Sequence, residues 1–292
     1  MRVVETKAAL RDALAAPRRE GLTIGLVPTM GFLHAGHVSL LESAHAECDV
    51  VVMSLFVNPA QFGPGEDLDR YPRDRERDER MAADAGVDLI YAPPTEEVYP
   101  EGFATAVEVS GLTEVLCGDP GARGPEHFRG VTTVVAKLFN TVGPDVAYFG
   151  QKDAQQAVVI RRMAADLDFP VRIEVRPTVR EDDGLALSSR NAYLEPADRE
   201  RAPALHAALG AAADAAEVGA ATADAIAAAR RVLAEAGVEP EYLEARDAER
   251  LEPIETLNGR PVLLAIAAQV GGARLIDNVI IEPNAPGRTR GA

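Results

Sequence analysis

Five short apolar runs, at 22–27, 50–57, 88–92, 145–149 and 171–175, alternate with helical periodicity near 38–46, 73–85, 131–142 and 154–167. Parallel neighbours need a crossover long enough to return the chain, usually a helix, so this alternation predicts a parallel sheet. Residues 106–110 alternate as a strand does and are expected to add one. The stretch "GDPGARGPEHFRG", 118–130, is dense in backbone punctuation and reads as a mobile loop. Near Thr178 the pattern changes. "PTVREDDGLALSSRN" leads into alanine-rich helices to about Ala236, then "YLEARD" and "RPVLLAIAAQVGGARLIDNVII", a hairpin turning at Gly271 and Gly272.

The expected class is α/β: a Rossmann-like doubly wound parallel sheet in 1–178, and a smaller α+β domain in 179–292 ending in a frayed "EPNAPGRTRGA". With 292 residues and 47% hydrophobic content, the chain is large enough for two cores. No run approaches the ~18 uninterrupted apolar residues of a membrane span. The amino terminus mixes charges where a secretory signal carries an apolar stretch, so a cytoplasmic protein without membrane contact is expected. Cys48 and Cys117, the only cysteines, lack metal-ligand spacing and read as buried thiols. The net charge of -16 argues against nucleic acid as a partner but not against a small anion held by local donors. The run "RDRERDER", 73–80, reads as a solvated helix face, with Tyr71 and Asp78 placed to face a site from its ends.

The densest chemistry lies in "VPTMGFLHAGHVSLL". A strand before Pro28 delivers the chain to the carboxyl edge of the sheet, where ligands bind in open α/β folds. Gly31 and Gly36 permit close backbone approach, and a helix beginning near His37 offers unpaired amides to an anion. Three-residue spacing sets His34 and His37 on one turn, from which both imidazoles can donate to one phosphate chain; helix capping explains the same pair. A second junction, "GQKDAQQ", follows the strand at 145–149. Lys152 offers a compact ammonium to phosphate, and Asp153 a carboxylate to a ribose hydroxyl or hydrated Mg2+; a capped strand–turn–helix joint is the alternative. Of the 30 lysines and arginines only Lys7, Lys137 and Lys152 are lysine. "LSSRN" supplies two hydroxyls and an arginine fork, or else an ordinary capped loop. His45 and His206 read as helix-surface residues.

In order, "VPTMGFLHAGH", "SLFVNPAQF", "YPRD", "HFRGVTTVVAKL", "YFGQKDAQQ", "PTVREDDGLALSSRN" and "RLIDNVII" resemble the pantothenate synthetase family over nearly the whole chain. That family belongs to the nucleotidylyltransferases with HIGH-type and KMSKS-type motifs. The resemblance implies ATP-dependent joining of (R)-pantoate to β-alanine through an enzyme-bound pantoyl adenylate, releasing AMP and pyrophosphate. It also implies Mg2+ and a homodimer whose carboxyl-terminal domain closes over the ligands. By the same resemblance Met30, Gly31, Phe32, Leu33, His34, Ala35, Gly36 and His37 line ATP, with His37 as proton donor. Gly150, Gln151, Lys152, Asp153, Val179, Leu187, Ser188, Ser189 and Arg190 complete that site. Gln61 and Gln156 hold pantoate, with Met30 and Asn58 beside them, and Gln61 also meets β-alanine. His34, His37, Lys152, Ser188, Ser189 and Arg190 form the implied catalytic set, and Asp153 is the candidate metal ligand. Tyr71, Asp78, His127 and Arg129 match supporting positions. Leu187 departs from the methionine common in the family, a nearly volume-conserving change. Neutral glutamines suit a carboxylate nucleophile, because a clamped arginine would stabilise its ground state and blunt its attack. Competing readings are a transferase that stops at the adenylate, an aminoacyl-tRNA synthetase and a nucleotide sensor.

Overall fold

The computed structural model describes residues 1–63, 65–217, 221–256 and 260–282; the tail expected to fray lies, from 283 onward, outside the described residues. The chain splits into two compact units, Met1–Val179 and Arg180–Ala292. The first contains β1 (Arg2–Val4), α1 (Lys7–Glu20), β2 (Ile24–Thr29), α2 (Ala35–Glu47), β3 (Val50–Leu55), α3 (Arg75–Asp84), β4 (Leu89–Tyr91) and α4 (Thr95–Val98). It continues with α5 (Pro125–Val142), β5 (Val146–Gly150), α6 (Ala154–Asp166) and β6 (Arg172–Arg176).

Its six strands pair in parallel in the order β1-β4-β3-β2-β5-β6. From β2 the chain moves outward through β3 to β4, then returns to β5 and β6 on the other side of β2. With right-handed crossovers, the two halves send their helices to opposite faces. Accordingly α2 packs with α3, while α5 packs with α1 and α6. The carboxyl ends of β2 and β5 therefore flank the switch point, the place where open α/β sheets leave a crevice for ligands. The strand centres are almost wholly apolar because both faces are covered: Leu26, Val27, Val51, Val52, Met53, Ile90, Ala147 and Tyr148 are fully buried. Both cysteines are buried thiols.

Local chemistry corrects three boundaries. Residues 106–110 form no strand: the Val107 N–H donates to Thr133 Oγ1 at 3.0 Å and its carbonyl accepts from Thr132 Oγ1 at 2.6 Å, so α5 hydroxyls replace a strand partner. The expected loop at 118–130 ends early, because Pro125 starts α5 at the position where a missing N–H costs nothing. Likewise α2 begins at Ala35, which makes His34 its N-cap.

The second unit holds α7 (Pro196–Arg201), α8 (Ala204–Glu217), α9 (Thr222–Glu235), β7 (Pro240–Asp247), β8 (Val262–Val270) and β9 (Ala273–Ile281). Its strands are antiparallel in the order β7-β8-β9, and β8 turns into β9 at Gly271 and Gly272, with Gly271 at φ 54°. Leu205, Leu209 and Ala212 of α8 meet Leu264 and Ile266 of β8 in one core. Small alanines let α8 and α9 pack closely together, which explains a composition that carries no repeat.

Gly130, inside α5, is where that helix meets the short turn Pro59–Gln61. A Cβ there would overlap the Ala60 carbonyl and stand 2.6 Å from the Gln61 nitrogen. Gly130→Ala should therefore destabilise the protein by about 1–3 kcal/mol, as overpacking against backbone does, seen as a lower urea midpoint at unchanged slope.

Candidate active site

The loop from β2 to α2 is held from behind by one carboxylate. Asp78, 1% exposed in the first turn of α3, accepts the N–H groups of both Phe32 and Leu33 at 2.7 Å. Successive amides converge on one anion only if the backbone curls, and Gly31 and Phe32 supply that curl at φ 83° and 51°. Gly31 is also required sterically, since a Cβ would stand 2.8 Å from Leu55 Cδ1 and 2.9 Å from Asp78 Oδ2. Burial raises the Asp78 pKa, opposed by the two amides and by Arg77. By sequence Asp78 belongs to a run read as a solvated face, with the option of facing a site from its end; it turns inward, one helical turn after the N-cap Asp74.

This bracing fixes the histidines. His34 caps α2, its Nδ1 accepting from the Gly36 N–H at 3.2 Å, and His37 Nδ1 accepts from the His34 N–H at 3.3 Å. An Nδ1 that accepts carries no proton, so each neutral ring holds its proton on Nε2. The ring centroids lie 4.1 Å apart. Burial, then Lys152 and Arg77, push the His34 pKa down to about 4, against the opposing pull of Asp153. His37 is held well below its ordinary value by burial, then by His34 and Lys152. Both rings are thus neutral Nε2–H donors near pH 7.

Lys152 reaches the same place from the other side of the switch point. It belongs to a 3-10 turn, Gln151–Asp153, that follows β5 directly, and its Nζ lies 3.5 Å from Asp153 Oδ1. His34, His37, Lys152 and Asp153 therefore share one electrostatic neighbourhood at the sheet edge. Arg77 adds a further cation: its guanidinium stacks 5.5 Å from the Phe32 ring centroid, and its buried NH1 has no partner among the described residues. Among those residues no group of three or more His, Cys, Asp or Glu side chains is placed to hold a metal. A single carboxylate such as Asp153 nevertheless suits Mg2+, which keeps most of its waters and binds largely through phosphates.

Next to the histidine loop lies a set of neutral amides. Gln61 Nε2 approaches Met30 Sδ at 2.9 Å, and Gln61 Oε1 accepts from Asn58 Nδ2 at 3.2 Å. Asn58 is buried, donating also to the Gly130 carbonyl at 3.1 Å and accepting from Tyr99 OH at 2.8 Å. In α6, Gln155 is committed to structure, bonding Cys117 N, Leu112 O and Val115 O, whereas Gln156 is only half-buried. A cavity of about 300 Å³ touches Met30, Gly31, Leu55, Val57 and Asp78.

A family model described as pantoate-beta-alanine ligase matches residues 2–280. The chain belongs to the pantoate-beta-alanine ligase family. It is 56% identical to the pantothenate synthetase of Moorella thermoacetica over 97% of this chain and 100% of that protein. The fold matches the crystal structure of pantothenate synthetase from Thermus thermophilus, with a TM-score of 0.90 and 50% identity over 97% of this chain and 100% of the other. It also matches the pantoate-beta-alanine ligase of Francisella tularensis complexed with beta-gamma ATP and beta-alanine, with a TM-score of 0.78 and 30% identity over 96% and 97% of the two chains. No described helix is long and apolar enough to cross a membrane.

The stretch 187–190, expected from the sequence to contact the nucleotide, sits in the second unit on a braced loop. Arg180 and Ala186 bridge, Arg180 forms a two-point pair with buried Asp277 at 2.6 and 2.9 Å, and Asn191 Nδ2 donates to the Ala186 carbonyl at 3.1 Å. Ser188 caps the 3-10 turn Ser189–Tyr193 through Arg190 N, and Ser189 is buried. Gly184, at φ 92°, lies against the His206 ring, so His206 supports this loop and is not merely a surface residue. Val179 lies half-buried in the irregular chain just before.

Asp78→Asn keeps one acceptor but turns an NH2 toward the other amide. We expect a loss of about 1–3 kcal/mol, the cost of an unmet buried donor, with Phe32 or Leu33 showing faster amide exchange while the β3 amides stay protected. His34 yields a pH prediction. Its folded pKa of about 4 lies below the ordinary 6.5, so the unfolded chain takes up the proton first as pH falls. The stability it contributes is full above 6.5 and is lost from there down to about 4. His34→Asn, which retains a capping acceptor, should melt with a shallower decline across that window.

Proposed function

We propose that this chain joins pantoate to β-alanine with ATP cleaved to AMP and pyrophosphate, through a pantoyl adenylate formed and consumed in the site at the switch point. The observation that carries the reading is the convergence of two imidazole Nε2–H donors and the Lys152 ammonium beside the Gln61 amide. In the first step a pantoate carboxylate oxygen attacks the α-phosphorus, and the bond to pyrophosphate breaks. The nucleophile comes from the substrate, so the protein's work is to orient it and to stabilise charge on the phosphoryl oxygens and the leaving group. His34 and His37 act there as neutral hydrogen-bond donors; His37 becomes a proton donor only once bound phosphates raise its pKa. Lys152 supplies the full charge, with Gly150, Gln151 and the histidine loop from Met30 to His37 giving backbone contacts. Gln61 and Gln156 hold pantoate, with Asn58 fixing the Gln61 amide and Met30 offering apolar contact.

In the second step the β-alanine amine attacks the acyl carbonyl, AMP leaves, and the proton lost from nitrogen passes to solvent. Val179, Leu187, Ser188, Ser189 and Arg190 enter the proposal through the family motif, as contacts to the nucleotide. Asp153 fits a Mg2+ ion carried in with the triphosphate; when bound, that ion neutralises the departing pyrophosphate. A homodimeric state and a cytoplasmic location belong to the proposal on the family resemblance.

The decisive measurement is pantoate-dependent ATP/pyrophosphate exchange on the purified protein, with pantothenate appearing only when β-alanine is added. Lys152→Ala should slow exchange by on the order of 10²-fold or more, the usual effect of deleting a preorganised charge donor. A near-normal single-turnover rate in that variant would remove Lys152 from the site, and ATP binding without any exchange would leave only a nucleotide sensor.

A further inference from the structure

We infer that Arg123, His127 and Glu66 form a clamp that holds Gln61 in register for pantoate, which makes Arg123 and His127 positioning residues for the nucleophile. The inference rests on the assignment of Gln61 to pantoate made above.

The Gln61 carbonyl oxygen receives two donors, His127 Nδ1 at 2.8 Å and Arg123 NH2 at 3.2 Å. A carbonyl oxygen only accepts, so the His127 proton must sit on Nδ1. That leaves a lone pair on Nε2 if the ring is neutral, and Arg123 NH1 stands 3.2 Å from it, placed to donate. The other edge of the guanidinium grips Glu66, Nε to Oε1 at 2.8 Å and NH2 to Oε2 at 2.6 Å. Glu66 in turn accepts the Gly63 N–H at 3.1 Å, and Arg123 lowers its pKa against the opposing effect of burial. Four of the five Arg123 N–H groups and the His127 Nδ1–H each meet an acceptor, and the tautomer is opposite to that of His34 and His37.

Simple loop stability does not require so much. The turn Pro59–Gln61 already closes itself: Asn58 Oδ1 caps Ala60 N at 3.3 Å and Pro59 O accepts Phe62 N at 3.2 Å. Adding a guanidinium only 14% exposed and a carboxylate 25% exposed carries a desolvation cost that buried pairs often fail to recover. What the clamp adds is direction. Three separate segments, the stretch after the turn, the loop before α5 and the first turn of α5, are pinned to the backbone of one glutamine. Its side chain is meanwhile fixed by Asn58 and Met30. Glu66 also balances the Arg123 charge, so the clamp orients the amide without presenting a naked cation behind it.

The test separates the two histidine nitrogens. An asparagine at 127 carries an N–H close to the place of Nδ1, whereas a glutamine amide reaches only toward Nε2. His127→Gln should raise the pantoate KM by about tenfold, the loss of one good hydrogen bond. The ATP KM and thermal midpoint should hold, and His127→Asn should recover most of the pantoate KM. Arg123→Lys keeps the charge opposite Glu66 but puts one nitrogen where the guanidinium spreads three, so it cannot make all four bonds; it should reproduce the same selective rise. Equal behaviour of the Asn and Gln variants, or ATP and pantoate KM rising together, would overturn the clamp and leave a structural network. Exchange in the unmodified protein is the control: its absence sinks the functional reading itself, whereas normal exchange with an unmoved pantoate KM in the variants sinks only this inference.

Discussion

Two backbone N–H groups closing on one buried carboxylate set the geometry from which the rest of the site follows. Curled amides of this kind usually collect an external anion. Here Asp78 takes the place of that anion, so the loop is preassembled before any ligand arrives. With the Phe32 and Leu33 amides held by Asp78, His34 is left at the start of α2, where its Nδ1 caps the helix. The capping reading of the histidine pair holds, and it leaves the proposed ligand role open, because each ring caps with Nδ1 only.

The electrostatics follow the same logic. Burial is the main reason the two rings, 4.1 Å apart, stay neutral, and the charge of Lys152 beside them pushes the same way. A neutral N–H costs little to bury, needs no counterion, and still points positive hydrogen at phosphate. Positive charge comes instead from Lys152, paired with Asp153, and from Arg77, whose guanidinium lies 5.5 Å from the Phe32 ring centroid. On the proposed function, a triphosphate arriving here would meet donors already oriented, and its charge would raise the imidazole pKa values.

Much of this is legible in the residues. The alternation of apolar runs and helical segments encodes the order of elements, and the strand-to-helix position of both "GFLHAGH" and "GQKD" places them at one sheet edge. What stays hidden depends on tertiary exchange of hydrogen-bond partners. Residues 106–110 look like a strand because their side chains alternate, but threonine hydroxyls of α5 satisfy Val107 instead. Asp78 is legible as a residue that could face a site, but its two amide partners are not: they lie in a distant loop, while Glu76 and Arg80 beside it stay exposed. Arg123 sits among glycines and prolines that read as slack; its pairing to Glu66 spans a separation that no local pattern reports.

Gln61 unites these themes. A carboxylate that must attack is best held by a group that does not neutralise it, since ground-state stabilisation equal to that of the transition state gains no rate. An amide meets that need but is a weak orienting device unless its own backbone is fixed. The protein solves the second problem one layer back, with an arginine whose charge is already answered by Glu66 and whose N–H groups reach the Gln61 carbonyl directly and through His127. Rigidity and charge are thereby supplied by different residues: the ionic contact of Arg123 with Glu66 lies behind the glutamine, whose own side chain is a neutral amide. In the histidine loop, likewise, buried Asp78 holds the backbone while the imidazoles themselves stay neutral.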